Sequence, residues 1–64
     1  MRIIKQDFRS YYHRTMEDIE KSIKKDLVEI QKEHPLFIVL LKDVKLLLCG
    51  NENIEALAIF DICS

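Results

Sequence analysis

FRSYYHRTMEDIEKSIKKDLVEI, residues 8–30, is the most regular stretch of this 64-residue chain. Its apolar side chains recur at spacings of three and four residues, as Phe8, Tyr12, Met16, Ile19, Ile23, Leu27 and Ile30. Such spacings place side chains on one face of a helix. The other face carries Glu17 four residues before Lys21 and Glu20 four residues before Lys24, a pairing that supports a solvated helix surface. We therefore predict a long amphipathic helix over about residues 7–33.

The start of this helix has two candidate positions. Asp7 and Ser10 both offer a short side-chain oxygen suited to an N-cap, and the apolar stripe already begins at Phe8. Thr15 followed by Asp18 has the spacing of a capping box, which would start the helix at about residue 16 and leave residues 1–14 as an arm or a strand. Because the stripe keeps its phase through residue 15, the longer helix is the one we predict.

The lone proline ends this helix and changes the character of the chain. Pro35 disfavours helical geometry at His34 and has no N–H to donate. It suits the first position of a second helix, over about residues 35–49 with Gly50 beyond its end. A third helix would start at Asn51 or Asn53 and reach about residue 62. These expectations describe one all-α domain over residues 1–64, a long helix plus two shorter ones assembled into a homo-oligomeric helical bundle.

An α+β fold is the alternative for the second half. The segment from Phe37 to Val39 is rich in residues that favour strands, and the segment from Gly50 to Asn53 has the composition of a hairpin turn. The long helix would then pack on a β-hairpin. Leucine outnumbers β-branched residues here and the segment around Asp43 does not alternate cleanly, which favours the helical interpretation.

An excess of apolar residues predicts self-assembly. Residues 36–64 contain 19 apolar side chains in 29 positions, more than one amphipathic helix can cover. A chain this short is also only marginally stable alone, so we expect a symmetric homodimer or a higher oligomer. The predicted interface consists of one face of the second helix: Leu36, Phe37, Leu40, Leu41, Val44, Leu47 and Leu48.

Several classes of function are disfavoured by composition. Two histidines and two cysteines fit no zinc-binding spacing, so we expect no metal and no cofactor. Cys49 and Cys63 lie among apolar residues and are expected to be buried free thiols rather than nucleophiles. The longest uncharged apolar run, residues 36–41, is far shorter than the roughly 20 residues of a membrane span. Charges interrupt any secretory signal at the N-terminus, which predicts a cytoplasmic protein. The residues form no recognisable catalytic constellation, so we expect that the chain is not an enzyme.

The remaining interpretation is a small protein-protein interaction module, an oligomeric adaptor or a regulator or inhibitor of a larger protein. Residues 1–14 carry four basic side chains and one acid. Arg9, Tyr11 and Arg14 are the predicted partner-binding residues, with Tyr11 off the apolar stripe and therefore exposed. The alternative is a nucleic-acid-binding accessory protein that uses this same basic, aromatic segment.

Overall fold

The chain folds as three strands and one helix, so the α+β alternative is correct and the prediction of an all-α helical bundle is wrong. The computed structural model describes residues 2–50 and 52–64, with Cys49 described by its backbone alone. The elements, in chain order, are β1 (Ile3–His13), α1 (Met16–Glu33), β2 (Ile38–Cys49) and β3 (Ile54–Cys63).

The three strands form one antiparallel sheet in the order β1-β3-β2. The last strand lies in the middle, where it pairs with β1 from Ile3 opposite Cys63 to His13 opposite Ile54. On its other side β3 pairs with β2 from Ile38 opposite Cys63 to Cys49 opposite Ile54. Both β1 and β2 are therefore edge strands of the sheet. α1 connects these two edges and packs on one face.

The helix begins at the shorter of the two candidate positions. Thr15 is the N-cap, and its hydroxyl oxygen accepts a hydrogen bond from the Asp18 N–H at 3.2 Å. The start predicted at residue 7 is wrong, while the stop is as predicted. The helix ends at Glu33, and the N–H of His34 donates to the carbonyl oxygens of Ile30 and Gln31.

The N-terminal segment is a strand because its side chains suit a sheet. Residues 3–12 include two isoleucines, a phenylalanine and two tyrosines, which favour extended backbone. The four-residue spacing of Phe8 and Tyr12 is an even number, so it keeps both side chains on one face of a strand as well as on one face of a helix. The spacing alone therefore did not distinguish the two structures.

The second and third predicted helices are β2 and β3. Pro35 does not open a helix, since the following turn is closed by a 3.1 Å hydrogen bond from the Phe37 N–H to the His34 carbonyl oxygen. At the far end of β2 the Gly50 N–H donates to the Asn53 carbonyl oxygen at 3.0 Å, which closes the hairpin. Asn51, a predicted N-cap, lies outside the described residues, and Asn53 directly precedes β3.

The core lies between α1 and the face of the sheet that it covers. Alternate residues of β3 point toward the helix and are buried, and Ala56 and Ala58 are fully so. These small side chains leave room for Ile19, Ile23 and Ile30 of the helix, which are also buried. Phe60 and Ile62 fill one end of the same layer. Three of the predicted stripe residues therefore do form the core, in contact with a sheet.

Candidate functional site: the sheet face that α1 leaves uncovered

The side of the sheet opposite α1 has no covering element among the described residues. We call it the open face. It is formed by every second residue of each strand: Gln6, Phe8, Ser10 and Tyr12 of β1, Glu55, Leu57, Ile59 and Asp61 of β3, and Ile38, Leu40, Asp43, Lys45 and Leu48 of β2. A sheet of three strands with only one face packed leaves this large surface in contact with solvent.

The open face is apolar over much of its area. Phe8 and Tyr12 remain 59% and 61% exposed, and Leu40 and Leu48 on the opposite edge strand are exposed to a similar degree. Half-buried Leu57 and Ile59 lie between them on β3. Exposed apolar patches of this kind normally mark interaction surfaces in proteins.

The polar groups of the open face are mostly acidic. Asp61 is buried on β3, and its carboxylate accepts a 2.9 Å hydrogen bond from the side-chain amide of Gln6 on β1. Glu55, also on the central strand, lies opposite Tyr12. Asp43 and Lys45 lie on β2 opposite Ile59 and Leu57. With three carboxylates and one amine in the set, the open face carries a net negative charge.

On the covered face, polar contacts hold α1 to β1. The Tyr11 hydroxyl donates to Asp26 Oδ2 at 2.5 Å, and His13 Nε2 lies 2.7 Å from the Ser22 hydroxyl oxygen. The same face of β1 carries Arg9, which forms a 3.1 Å salt bridge with Asp7. Burial, reinforced by the hydrogen bond to Asp26, raises the pKa of Tyr11 above its ordinary value. Tyr11 is therefore a structural contact between strand and helix.

On the β2 side the first turns of the helix leave a groove. It has a volume of about 360 Å³ and is lined by six apolar side chains and two charged ones: Met16, Ile19, Ile23, Leu27, Leu41, Val44, Glu20 and Lys24. Beyond the groove, near the end of the helix, Gln31 bonds to the backbone of residues 34, 37 and 39. None of the lining residues is a hydroxyl, thiol or imidazole group suited to nucleophilic chemistry.

The three predicted partner-binding residues do not form one exposed group. Tyr11 is 8% exposed, so the expectation that it is exposed on a helix is wrong. Arg9 is half-buried beside Asp7, and Arg14 is exposed in the link between β1 and α1. Their expected role in binding a partner stays a prediction. The aromatic residues of this segment that are exposed are Phe8 and Tyr12, which the sequence analysis placed on the apolar stripe of the predicted helix.

The residues of the predicted oligomer interface lie on both faces of the sheet and in the turn before β2. Leu40 and Leu48 lie on the open face, whereas Leu41 and Val44 line the groove on the covered face. Leu36 is 91% exposed in the turn before β2, Phe37 packs against the core, and Leu47 lies at a register shift of β2. The prediction placed these residues on one face of a helix, but neighbouring side chains of a strand point to opposite faces. Their role in assembly also stays a prediction.

Among the described residues, no group of three or more histidine, cysteine or acidic side chains could hold a metal ion. α1 is not apolar enough over its length to cross a membrane. Cys63 is a free, buried thiol, as expected, while the prediction for the side chain of Cys49 lies outside the described residues.

Comparison of this chain with protein-family models, curated proteins and solved structures finds no match.

Proposed function

We propose that this chain is a non-enzymatic protein-protein interaction module, a small adaptor or regulator that occupies a surface of a larger protein through its open face. The observation that carries this proposal is the unequal coverage of the sheet. α1 buries one face, while the other presents Phe8, Tyr12, Leu40 and Leu48 to solvent. Burying such side chains contributes about 25 cal/mol per Å² of apolar area, so a partner that covers this face would gain binding free energy from it.

Charge indicates the chemistry of that partner. Glu55 and Asp61 lie on the central strand of the open face, and Asp43 lies on β2. A flat apolar protein surface carrying lysine or arginine side chains would complement both the apolar area and these carboxylates. We propose a partner of this kind and a cytoplasmic location, with self-assembly as a further property of the module.

The experiment compares two charge-introducing variants of exposed apolar residues. Phe8→Asp changes the open face, and Val28→Asp changes an exposed position on α1. Tagged wild-type protein and both variants are used to capture proteins from native lysate, and the affinity of each captured protein is then measured with purified components. A partner that binds the wild type and Val28→Asp but not Phe8→Asp supports the proposal. If every captured protein binds the two variants equally well, the open face is not the binding site.

Nucleic-acid binding is a second candidate that one observation favours. Phe8 and Tyr12 lie four residues apart on one exposed sheet face, and sheets that bind single-stranded RNA stack bases on such aromatic side chains. Glu55 opposite Tyr12 and Asp61 opposite Gln6 would repel phosphate groups, which is why protein binding is our first choice. Fluorescence anisotropy with labelled single-stranded RNA and DNA at low salt tests it. Binding that weakens with added salt and is lost in Phe8→Ala would favour this candidate.

A further inference from the structure

The edge of the sheet formed by β2 is long, apolar and unpaired within the described chain. β2 extends over 12 residues, and only β3 pairs with it. Exposed edge strands of this length tend to pair with another strand, because their outward N–H and C=O groups lack partners. The only charged residues of β2 are Lys42, Asp43 and Lys45, at its middle. These three charges therefore decide which register a pairing strand can adopt.

Val44 lies at the centre of this edge. Its N–H donates an exposed 2.9 Å hydrogen bond to Oδ1 of the preceding residue, Asp43. This backbone donor is thus satisfied by a local side chain that can move away, and a strand carbonyl oxygen could replace it. Asp43 and Lys45 flank Val44, and both lie on the open face.

The groove lies along the same edge. Leu41 and Val44 of β2 form one of its walls, and residues of the first turns of α1 form the other. α1 is bonded to β1 through Tyr11 and His13, and on the β2 side its apolar side chains from Met16 to Leu27 line the groove. A partner that extends the sheet beyond β2 would lie next to this groove.

We propose that a second copy of this chain pairs with β2 through its own β2, antiparallel, about a two-fold axis at Val44. In this register Asp43 lies opposite the partner's Lys45, and Lys45 lies opposite the partner's Asp43. The arrangement forms two opposite-charge pairs across the junction. An axis at Asp43 would instead place two carboxylates opposite each other, and an axis at Lys45 would do the same with two amines. Charge complementarity thus selects the axis at Val44.

The resulting dimer has one six-stranded sheet in the order β1-β3-β2-β2-β3-β1. Because the axis is perpendicular to the sheet, both helices lie on one side and the two grooves adjoin beside the paired Val44 residues. The two open faces join into one surface of twice the area on the other side. This inference rests on the proposed function only in so far as that proposal includes self-assembly.

The test is a charge exchange followed by sedimentation velocity and light scattering at micromolar concentration. The wild type is expected to be a dimer. Asp43→Lys and Lys45→Asp each place like charges across the junction and are expected to weaken dimerisation at least about tenfold. The double variant D43K/K45D restores both pairs and should recover an affinity within about threefold of wild type. Lys5→Asp, a matched charge reversal on the opposite edge strand, should leave the dimer unchanged.

A second measurement addresses variants that fold poorly. In the wild type, hydrogen exchange at the Val44 amide should slow as protein concentration rises, since the dimer replaces an exposed local bond with a strand bond. Three results would each overturn the proposal. The wild type could be a monomer, the double variant could dissociate as readily as the single variants, or the exchange rate of the Val44 amide could be independent of protein concentration. Mass and hydrogen exchange are measured without any other protein, so these results do not depend on whether the open face binds a partner. That proposal is tested separately with Phe8→Asp.

Discussion

The Tyr11 hydroxyl donates a 2.5 Å hydrogen bond to the carboxylate of Asp26 and so joins β1 to α1. Together with the contact between His13 and Ser22, it bonds the middle of the helix to β1, whereas Gln31 bonds the end of the helix to the start of β2. The groove opens on the other side, beside Leu41 and Val44. The polar contacts of Ser22 and Asp26 thus reach β1, and the groove lies on the other side of the same part of the helix.

Tyr11→Phe should lower the free energy of unfolding by about 1–2 kcal/mol, because it removes a hydrogen bond to a carboxylate that stays half-buried. Urea denaturation followed by circular dichroism measures the change. Tyr12→Phe is the matched control, since Tyr12 is exposed on the open face and should change stability by less than about 0.5 kcal/mol. Equal effects of the two variants would contradict a structural role for the Tyr11 hydroxyl.

Alkaline pH should destabilise the protein through the same residue. Burial and then the bond to Asp26 raise the pKa of Tyr11 above its ordinary value of 10.0. The unfolded chain therefore loses this proton at lower pH than the folded one, so the contribution is complete below pH 10 and declines as pH rises above it. Unfolding free energies measured from pH 8 to 11.5 should fall more steeply above pH 10 in the wild type than in Tyr11→Phe. Parallel curves would argue against a raised pKa.

Thr15→Ala should cost about 1 kcal/mol of stability, because the Asp18 N–H loses the hydroxyl that caps the helix. Thr15→Ser keeps a hydroxyl at this position and should remain close to the wild type. Thermal and urea unfolding of the three proteins provide the comparison. A serine variant as unstable as the alanine variant would show that the cap oxygen is not the cause.

Gln31 should be important for the link between α1 and β2. Its side-chain amide donates to the carbonyl oxygens of His34 at 3.1 Å and Phe37 at 2.7 Å, and its oxygen accepts from the Val39 N–H at 3.3 Å. Gln31→Ala should therefore lower stability by about 1–3 kcal/mol, since these backbone groups lose partners.

The neighbouring exposed residue provides the control for Gln31. Lys32→Ala should stay within about 0.5 kcal/mol of wild type. Hydrogen exchange at Val39 should accelerate in Gln31→Ala and not in Lys32→Ala. Unchanged exchange at Val39 in both variants would show that the side-chain bonds of Gln31 do not hold this end of β2.

The helix was predictable where neighbouring residues determine it. Thr15 and Asp18 form the cap, and Pro35 follows the last turn. The start was misplaced because Phe8, Tyr12 and Met16 are four residues apart, a spacing that suits both a helix and a strand. The Thr15 capping signal was present in the sequence and should have outweighed the apolar stripe.

The open face was harder to predict, because which face of a strand is covered depends on elements distant in sequence. Phe8 and Tyr12 have the composition of core residues and yet are exposed, while Tyr11 beside them is buried. No local pattern distinguishes these neighbours. Only the pairing of β1 with β3, in which Tyr11 faces Ala56 beneath the helix, assigns their sides.

The sequence by itself indicated the local features of this protein: an amphipathic helix with Thr15 as one of two candidate caps, its end before Pro35, an apolar second half and, as the alternative to a helix end, a turn near Gly50. These features rest on interactions within a few residues. Tertiary structure alone decided that β3 lies between β1 and β2, that Gln6 bonds to Asp61 across 55 positions, and that one sheet face stays open. The physical reason is that pairing and burial are contacts between distant segments, and a strand can satisfy its hydrogen bonds only with a partner that the chain brings to it.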